Sequence, residues 1–243
     1  MYSRNRIYIS DDQQEKLRQT RILVAGAGLG SVISECLLRL GILNFTIIDF
    51  DKVELSNLNR QNYTHADIGK YKVDTLYDRL HAINPEAKIK VHNICLEANN
   101  LADYLCDFDI AINTLDFTSE VPFQFDNYCI KLDKPVIHPY NLGWASCVFV
   151  IEKGSQSIRH ILTGRNKPEV EIVEYILKKQ KVLHELNWLE QALSTYLNER
   201  ETQAPPQLSV GSWLTAGICA KIVFDFSIDN KIKVFPEIYL KTT

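Results

Sequence analysis

A polar segment that follows an apolar run contains residue types that suit the binding of a nucleotide. The apolar residues 45–48 lead into Asp49 and Asp51, and a single arginine, Arg60, follows nine residues after Asp51. A carboxylate at a strand end can accept hydrogen bonds from ribose hydroxyls. The planar fork of donors on an arginine suits phosphate oxygens. One short segment therefore offers groups for both a sugar and a phosphate.

Two further charged residues extend this set along the chain. Lys72 lies just past Gly69, at the start of a predicted helix from which it can reach a phosphate. Asp116 ends the segment "FDIAINTLD", at the carboxyl end of a predicted strand, where open α/β sheets bind ligands. A triphosphate that is to be cleaved requires cations around its β- and γ-phosphates and a carboxylate for Mg²⁺. Taken singly, Arg60 could be a surface arginine, Lys72 a solvated lysine and Asp116 an acid at a helix N-terminus. Their order along the chain favours ATP over a nicotinamide dinucleotide.

A glycine-rich turn, G-x-G-x-G at residues 26–30, separates a short apolar run from a segment with helical periodicity. Glycines let the backbone turn sharply and approach a phosphate or ribose, and the following helix presents free N–H groups to an anion. Asp49 lies 19 residues beyond Gly30, at the end of the next apolar run. The alternative is a tight strand-to-helix turn without a ligand. It is less favoured because strand, loop, helix and acid occur in the expected order.

Apolar runs that alternate with helical segments over residues 21–153 predict an α/β fold. We expect a Rossmann-like, mainly parallel sheet with helices on both faces and antiparallel C-terminal strands. Residues 168–200 show helical periodicity and predict a long amphipathic helix or a helical hairpin. A loop is expected at 201–207 and a last strand at 232–240. The predicted parts are a nucleotide-binding core with an N-terminal arm (1–153), a helical insert (154–207), and a C-terminal helix and strand that complete the core (208–243).

The composition indicates a soluble globular protein of 243 residues, 46% of them hydrophobic, with a formal net charge of −3. The slightly acidic balance argues against broad nucleic-acid binding. No apolar run approaches the ~20 residues that span a membrane, and the N-terminal residues are too polar for a signal peptide. We therefore expect a cytoplasmic protein with no membrane partner. Its six cysteines are expected to be mostly buried and reduced, and His138 to be a packed side chain.

Four motifs together resemble the ThiF/MoeB/HesA family, the bacterial relatives of ubiquitin-activating enzymes. They are "GAGLGS", "DFDKVELSNLNRQ", "IGKYK" and "INTLD", and the S-N-L-x-R-Q part is the most specific. The resemblance runs over about residues 2–151 and resumes at "PPQLSVGSWLTAGICAKIV". It implies ATP-dependent adenylation of a carboxylate with release of pyrophosphate. The usual substrate would be the C-terminal Gly-Gly tail of a small ubiquitin-fold (ThiS/MoaD-like) protein.

The resemblance also implies roles for individual residues. Asp49 would bind the ribose hydroxyls, Asn57 and Arg60 the phosphates, Lys72 the leaving pyrophosphate, and Asp116 the Mg²⁺ ion. The free pKa of a terminal carboxylate is about 3.5, so the substrate is already an anion at neutral pH and needs no general base. The residues expected to bind the nucleotide are Gly26, Ala27, Gly28, Leu29, Gly30, Asp49, Asp51, Ser56 and Leu58.

The N-terminal "YSRN" resembles the Y-x-R-Q motif of the family. In the family the arginine of this motif reaches into the active site of the neighbouring subunit. Arg4 would therefore be a fifth catalytic residue, and the protein would be a homodimer with shared sites.

The sequence also departs from the family pattern. The glycine loop is one residue shorter than the usual G-x-G-G-L-G, and Phe117 stands where an asparagine often follows the Mg²⁺ aspartate. The zinc-binding C-x-x-C pairs of many members are absent, so we expect no structural zinc. Residues 154–207, where members often have a cysteine, contain none, and Cys147 and Cys219 lie in apolar stretches. We therefore predict adenylation without an enzyme-bound thioester.

Other classes of function stay open on the sequence alone. An adenylating enzyme of the same fold could act on a peptide, an amino acid or a tRNA nucleoside, although a tRNA substrate would favour a basic patch that the net charge does not suggest. A nucleotide-binding scaffold subunit with little catalysis is a second alternative. A nicotinamide-dependent oxidoreductase ranks last. ATP–pyrophosphate exchange distinguishes these classes.

Overall fold

The computed structural model of the protein describes residues 1–179, 186–199 and 203–243. Its sheet has the strand order β3-β2-β1-β4-β5-β6-β7. The first five strands in this order run parallel to one another, whereas β6 is antiparallel to both β5 and β7. The predicted mainly parallel sheet with antiparallel C-terminal strands is thus confirmed. The strands are β1 (Arg21–Ala25), β2 (Asn44–Ile48), β3 (Lys88–His92), β4 (Ile110–Asn113), β5 (Val136–Asn141), β6 (Ala145–Ile151) and β7 (Tyr239–Thr242).

Helices connect the strands and cover both faces of the sheet. Short 3-10 helices occur at Tyr2–Asn5, Leu55–Asn57, His65–Asp67 and Ile158–Ile161. The α-helices are α1 (Asp11–Gln19), α2 (Leu29–Leu40), α3 (Lys72–Ile83), α4 (Leu101–Tyr104), α5 (Val121–Lys131), α6 (Pro168–Lys179), α7 (Asn187–Asn198) and α8 (Ser209–Ser227). Among the described residues, no helix has both the length and the apolar character needed to cross a bilayer.

The central strand β1 shows why the sheet needs a layer of helices on each side. Ile22 and Val24 pack into one hydrophobic core, and Leu23 and Ala25 pack into the other, all of them almost completely buried. Side chains alternate between the two faces of a strand, so a run that is apolar at every position must be covered on both. Helices α2, α3 and α8 supply the first core, and α5 and α6 contribute to the second.

The predicted helical segment 168–200 and the predicted loop 201–207 lie partly within the described residues. Within residues 168–200 the described part of the chain contains two helices, α6 (Pro168–Lys179) and α7 (Asn187–Asn198), which agrees with the predicted helical character of this segment. The apolar Leu183, which the periodicity included, lies outside the described residues. Residues 201 and 202 of the predicted loop also lie outside them, and 203–207 contain neither helix nor strand.

The last strand of the sheet is shorter than predicted. Residues 232–238 are not part of the sheet, and β7 begins only at Tyr239. Pro236 interrupts the predicted strand and has no N–H group to contribute to a ladder. Phe235 instead donates its backbone N–H to the carbonyl of Val150 at 2.8 Å.

The prediction of mostly buried cysteines is only partly correct. Cys129, Cys147 and Cys219 are buried, and burial raises the pKa of each thiol. Cys95 and Cys106, however, are exposed. Both lie in connecting segments, after β3 and after α4, so an apolar stretch of sequence did not imply a buried position there. All the cysteines are free thiols.

Candidate functional site

The glycine-rich turn passes close to the end of β4. Gly26 has a backbone φ of +94°, in the left-handed region that favours glycine. A Cβ atom added there would lie 2.4 Å from the Thr114 Oγ1 and 2.8 Å from the Thr114 carbonyl oxygen. The Thr114 hydroxyl in turn lies 2.8 Å from the carbonyl oxygens of both Ala25 and Gly26. The turn therefore depends on a missing side chain at Gly26.

Replacement of this glycine tests the turn. Gly26→Ala should destabilise the protein by about 1–3 kcal/mol, because the alanine is strained at positive φ and its methyl group collides with Thr114. Urea unfolding measures the loss. The matched control is Gly217→Ala in α8, where no described atom outside the neighbouring helix backbone lies within 4 Å of an added Cβ. Gly217→Ala should instead stabilise by about 0.5–1 kcal/mol. A Gly26→Ala protein as stable as the wild type would show that the turn tolerates a side chain.

The other two glycines set how closely α2 approaches the sheet and the following loop. A Cβ at Gly30 would lie 2.7 Å from the Val24 Cγ1, so the first turn of α2 packs directly on β1. A Cβ at Gly28 would lie 3.2 Å from the Gln61 Nε2. The buried Gln61 Oε1 has no hydrogen-bond partner among the residues that the structure describes. Gln61 was not among the predicted site residues, although it belongs to the S-N-L-x-R-Q motif.

Asp49 follows β2 and joins that strand to the glycine turn. One carboxylate oxygen accepts the N–H of Ala27 at 2.5 Å, and the other accepts the N–H of Asp51 at 2.7 Å. The side chain is buried, and burial raises its pKa, an effect that both hydrogen bonds and the charge of Lys72 oppose. Each carboxylate oxygen has a second lone pair that can accept a ribose hydroxyl. Asp49 can therefore bind a sugar while holding the turn in place.

Asp51 and Lys72 form an ion pair at the start of α3. The Lys72 Nζ donates to the Asp51 Oδ2 at 2.7 Å, and the Lys72 N–H donates to the Asp51 carbonyl oxygen at 2.9 Å. The lysine side chain is only 8% exposed, whereas that of Asp51 is 44% exposed. The cation predicted to contact pyrophosphate thus already has an acidic partner, which sequence reasoning did not foresee.

Arg60 lies on the loop that follows the 3-10 helix Leu55–Asn57. Its Nε donates to the Gln207 Oε1 at 2.6 Å. Its Nη1 donates to the Ser56 carbonyl oxygen and to the Asn59 Oδ1, both at 2.8 Å. Partial burial lowers the pKa of the guanidinium, and the nearby charge of Asp116 opposes this effect. Arg60 is therefore a fixed cation rather than a free surface side chain.

Asp116 lies on the turn just beyond β4, and its side chain is exposed. Partial desolvation and the charge of Asp51 raise the pKa of its carboxyl group, while Lys72 and Arg60 act in the opposite direction. Asp116 is therefore close enough to Asp51, Lys72 and Arg60 to interact with their charges. The structure therefore brings together Asp51, Arg60, Lys72 and Asp116, which lie far apart in the sequence.

A buried hydrogen-bond network supports the turn that carries Asp116. The Asn113 Oδ1 accepts the N–H of Leu115 at 3.2 Å, and its Nδ2 donates to the Asp126 Oδ1 at 2.9 Å. The same oxygen lies 2.8 Å from the His138 Nε2. His138 is 2% exposed, which confirms that it is a packed side chain. Asn113 and Asp126 were not predicted as part of the site, since no spacing in the sequence links them to each other.

The remaining predicted nucleotide residues have mixed environments. Asn57 is buried, and its Oδ1 accepts the N–H of Glu54 at 3.0 Å, which shapes the loop. Ser56 is exposed and orients Arg60 through its carbonyl oxygen. Leu58 is half-buried and packs against the first hydrophobic core. Ser56 and Asn57 thus shape the loop that carries Arg60, and Leu58 anchors it on the core.

Arg4 is the predicted site residue that lies apart from the others. Its 3-10 helix is anchored by Tyr2, which donates to the Leu38 carbonyl oxygen, and by Asn5, which donates to that of Leu40. Leu38 and Leu40 lie in the last turn of α2 (Leu29–Leu40), roughly 15 Å along the helix from the glycine turn at its other end. Arg4 is exposed and forms no hydrogen bond or ion pair with the described part of the chain. It does not join the site of its own chain.

The donor set suits a magnesium ion bound together with phosphate. Mg²⁺ prefers oxygen ligands and commonly takes one or two carboxylates together with phosphate oxygens. Asp51 and Asp116 are two carboxylates close enough for one to raise the pKa of the other, a repulsion that a divalent cation relieves. No group of three or more histidine, cysteine or acidic side chains suited to a metal occurs among the described residues.

The site lies where connections from the sheet diverge. The chain leaves β1 toward β2 and β3 on one side, and β4 leads to β5 on the other. In open α/β sheets such a switch point at the carboxyl ends of the strands is where ligands bind. The fold and the position of the polar residues define a Rossmann-like α/β protein with its candidate site at this crevice.

The chain belongs to the ThiF family, since the model of that family matches residues 2–224. It is 37% identical over 129 residues to the molybdopterin-synthase adenylyltransferase of Haemophilus influenzae, an alignment covering 52% of each chain. The Escherichia coli protein of the same name is 35% identical over 128 residues, 52% of this chain and 51% of that one. The sulfur carrier protein adenylyltransferase of Thermus thermophilus is 28% identical over 131 residues, 53% and 48% of the two chains. The chain spans about half the length of these relatives.

Solved structures show the same fold at lower identity. The structure of E. coli MccB with ATP has a TM-score of 0.68 at 19% identity, and the match covers 95% of this chain and 65% of that one. MccB with AMPCPP and selenomethionine MccA gives a TM-score of 0.68 at 20% identity, with the same coverage. PaaA gives a TM-score of 0.68 at 20% identity over 95% and 62% of the two chains.

Proposed function

We propose that this protein is an ATP-dependent adenylyltransferase that activates a carboxylate as an acyl-adenylate and releases pyrophosphate. The observation that carries the proposal is the convergence of Arg60, Lys72 and Asp116 beside the ribose-type carboxylate Asp49. Two cations and a magnesium-type acid suit a triphosphate that is cleaved. A nicotinamide dinucleotide would not need them.

We further propose that the activated carboxylate is the C-terminal Gly-Gly of a ubiquitin-fold protein. The names of several relatives support this substrate, since they include a sulfur carrier protein adenylyltransferase and a ubiquitin-like modifier-activating enzyme. The latter protein, from Caenorhabditis elegans, is 40% identical over 83 residues, 34% of this chain and 20% of its own. Membership of the ThiF family adds weight to the same class of reaction.

The arrangement of charges explains how such a reaction could be accelerated. The substrate carboxylate attacks the α-phosphorus, a new oxygen–phosphorus bond forms, and the bond to the β-phosphate oxygen breaks with its electron pair leaving on pyrophosphate. Two anions must approach each other, so the main task of the protein is to neutralise charge. Arg60 and Lys72 supply the positive charge, and Asp49 fixes the ribose. Asp116 and Asp51 would hold Mg²⁺, which when bound neutralises phosphate charge.

We also propose that the protein acts without an enzyme-bound thioester. A thioester requires an accessible thiolate, and Cys129, Cys147 and Cys219 are buried with raised thiol pKa values. The double variant Cys95→Ser, Cys106→Ser removes the two exposed thiols. Its rate of adenylate formation and of transfer to an added acceptor should stay within about twofold of wild type, since surface substitutions rarely matter. Loss of transfer with adenylation retained would identify one of these cysteines as an acyl carrier.

The position of Arg4 supports a homodimer in which each arm completes the site of the partner. Arg4→Ala and Asp116→Ala should each be inactive alone, but a mixture refolded together should recover about a quarter of wild-type exchange. Such a mixture contains dimers in which one site has both intact residues. Sedimentation velocity of the wild type measures the dimer directly. A fully active monomer would rule out the shared site.

ATP–pyrophosphate exchange tests the main proposal. Candidate substrates are ubiquitin-fold proteins ending in Gly-Gly, each compared with a matched form that lacks the two glycines. Exchange that depends on the tail supports the proposal, and exchange that depends on a peptide, an amino acid or a tRNA supports the same-fold alternative. ATP binding without exchange for any candidate would indicate a scaffold subunit. Specific binding of NAD without ATP would overturn the assignment.

A further inference from the structure

The guanidinium of Arg60 is oriented by a residue from the far end of the chain. Gln207 lies in the segment before α8, after both helices of the insert, yet its Oε1 accepts the Arg60 Nε–H at 2.6 Å. The Asn59 Nδ2 donates to the carbonyl oxygen of the same glutamine at 3.1 Å. Two contacts therefore fasten the backbone and side chain of Gln207 to the loop that bears the phosphate-type arginine.

Some N–H groups of Arg60 donate hydrogen bonds to the protein, and others do not. An arginine has five N–H groups. The Nε group is bound to Gln207, and Nη1 is bound to Ser56 and Asn59. The Nη2 group has no hydrogen-bond partner within the described ranges. The contact with Gln207 thus fixes the plane of the guanidinium so that one edge is held by protein and Nη2 stays open to a ligand.

The Gln207 side chain is uncharged, and this affects the charge of Arg60 as much as its position affects the orientation of Arg60. Lys72 forms an ion pair with Asp51 at 2.7 Å, so its charge is already partly balanced. Arg60 forms no ion pair with any residue in the described part of the chain. An amide oxygen accepts the same hydrogen bond as a carboxylate but leaves the positive charge of the arginine intact.

We propose that Gln207 is a positioning residue that orients Arg60 for the phosphates of ATP and keeps its charge available. This inference rests on the proposed function only for the identity of the ligand. It makes the segment 203–208 part of the phosphate subsite, although that segment contains no charged side chain.

Gln207→Leu tests the hydrogen bond, and Gln203→Leu in the same segment is the matched control, since among the described residues the side chain of Gln203 forms no hydrogen bond with Arg60. The affinities for magnesium ATP and for adenosine are measured by calorimetry. Gln207→Leu should weaken ATP binding about tenfold or more, as expected for a lost hydrogen bond to a charged group. Adenosine has no phosphate, so its affinity should stay unchanged. Circular dichroism confirms that each variant is folded.

Gln207→Glu separates positioning from simple anchoring of the loop. A glutamate would hold Arg60 at least as firmly, so a purely structural role predicts normal ATP affinity. The proposal predicts weaker ATP binding with normal thermal stability, because the carboxylate cancels charge and repels phosphate. A double-mutant cycle adds a second readout: in an Arg60→Ala background, Gln207→Leu should have no further effect on ATP affinity.

The outcomes distinguish this inference from the proposed function. Loss of ATP affinity in Gln207→Leu, without exchange activity in the wild type, would uphold the inference and count against the adenylation reaction. Unchanged ATP affinity in both Gln207 variants would overturn the inference. The proposed adenylation function would still stand if the wild type catalysed exchange. Equal weakening of adenosine and ATP would also overturn it, since the effect would then not act through phosphate.

Discussion

Asp116→Ala should lower the rate of ATP–pyrophosphate exchange by about 100-fold or more while leaving the fold intact, because the proposed site would lose a carboxylate that holds Mg²⁺ beside the phosphates. The side chain is exposed, so its removal creates no cavity. Its carboxyl group lies in the shared field of Asp51, Lys72 and Arg60. Without Asp116 one carboxylate of the predicted Mg²⁺ site is lost, and the two cations lose a neighbour of opposite sign.

The effect of Asp116→Ala is measured by exchange kinetics over a range of Mg²⁺ concentrations. The variant should require more Mg²⁺ as well as turning over more slowly. Asp103→Ala is the matched control, since Asp103 is an exposed aspartate on the short helix α4. If Asp116→Ala retains normal exchange at low Mg²⁺, Asp116 does not bind the metal.

Arg60→Ala is expected to reduce exchange by about 100-fold or more, since it removes the cation proposed to stabilise the negative charge that develops on the phosphates. Arg60→Lys keeps the positive charge but not the planar fork. It should also lose the bond to Gln207, so its activity should fall between those of Arg60→Ala and the wild type. The raised pKa of Asp116 should rise further in Arg60→Ala, because Arg60 lowers it in the wild type.

Exchange rates and ATP affinity measure the effect of the Arg60 variants. Arg165→Ala serves as a control, since Arg165 is an exposed arginine that hydrogen-bonds Thr163. An Arg60→Ala enzyme with unchanged affinity and rate would show that the phosphates lie elsewhere.

The main strands of the fold could be predicted because each has a local cause. The apolar segment 22–25 is buried on both faces and ends in glycines that make the turn, so its pattern alone indicates a central strand. The helix and strand boundaries in the second half of the chain were harder to predict from the sequence. Helical periodicity in 168–200 does not show where α6 ends, and the apolar residues before Pro236 pack without joining the sheet.

The candidate site was predictable one residue at a time but not as a set of contacts. Asp49 and Asp116 were predicted as candidates from their motifs and from the strand ends that they follow, and Arg60 was predicted from its motif alone. The ion pair of Lys72 with Asp51, and the bond of Arg60 to Gln207, join segments that no periodicity connects. Such contacts arise only when the chain folds, so the sequence contains no local signal for them.

The packing of α8 on α2 has a consequence for folding during synthesis on the ribosome. Val223 of α8 and Leu37 of α2 are completely buried in one core, but the ribosome makes α8 only after all of residues 41–208. Until α8 has been made, the apolar face of α2 that packs on α8 is not buried by it. A nascent chain in this state exposes a surface prone to aggregation, and such surfaces are bound by chaperones. Production of this protein should therefore depend on chaperone supply more than that of a protein whose core closes between neighbours in sequence.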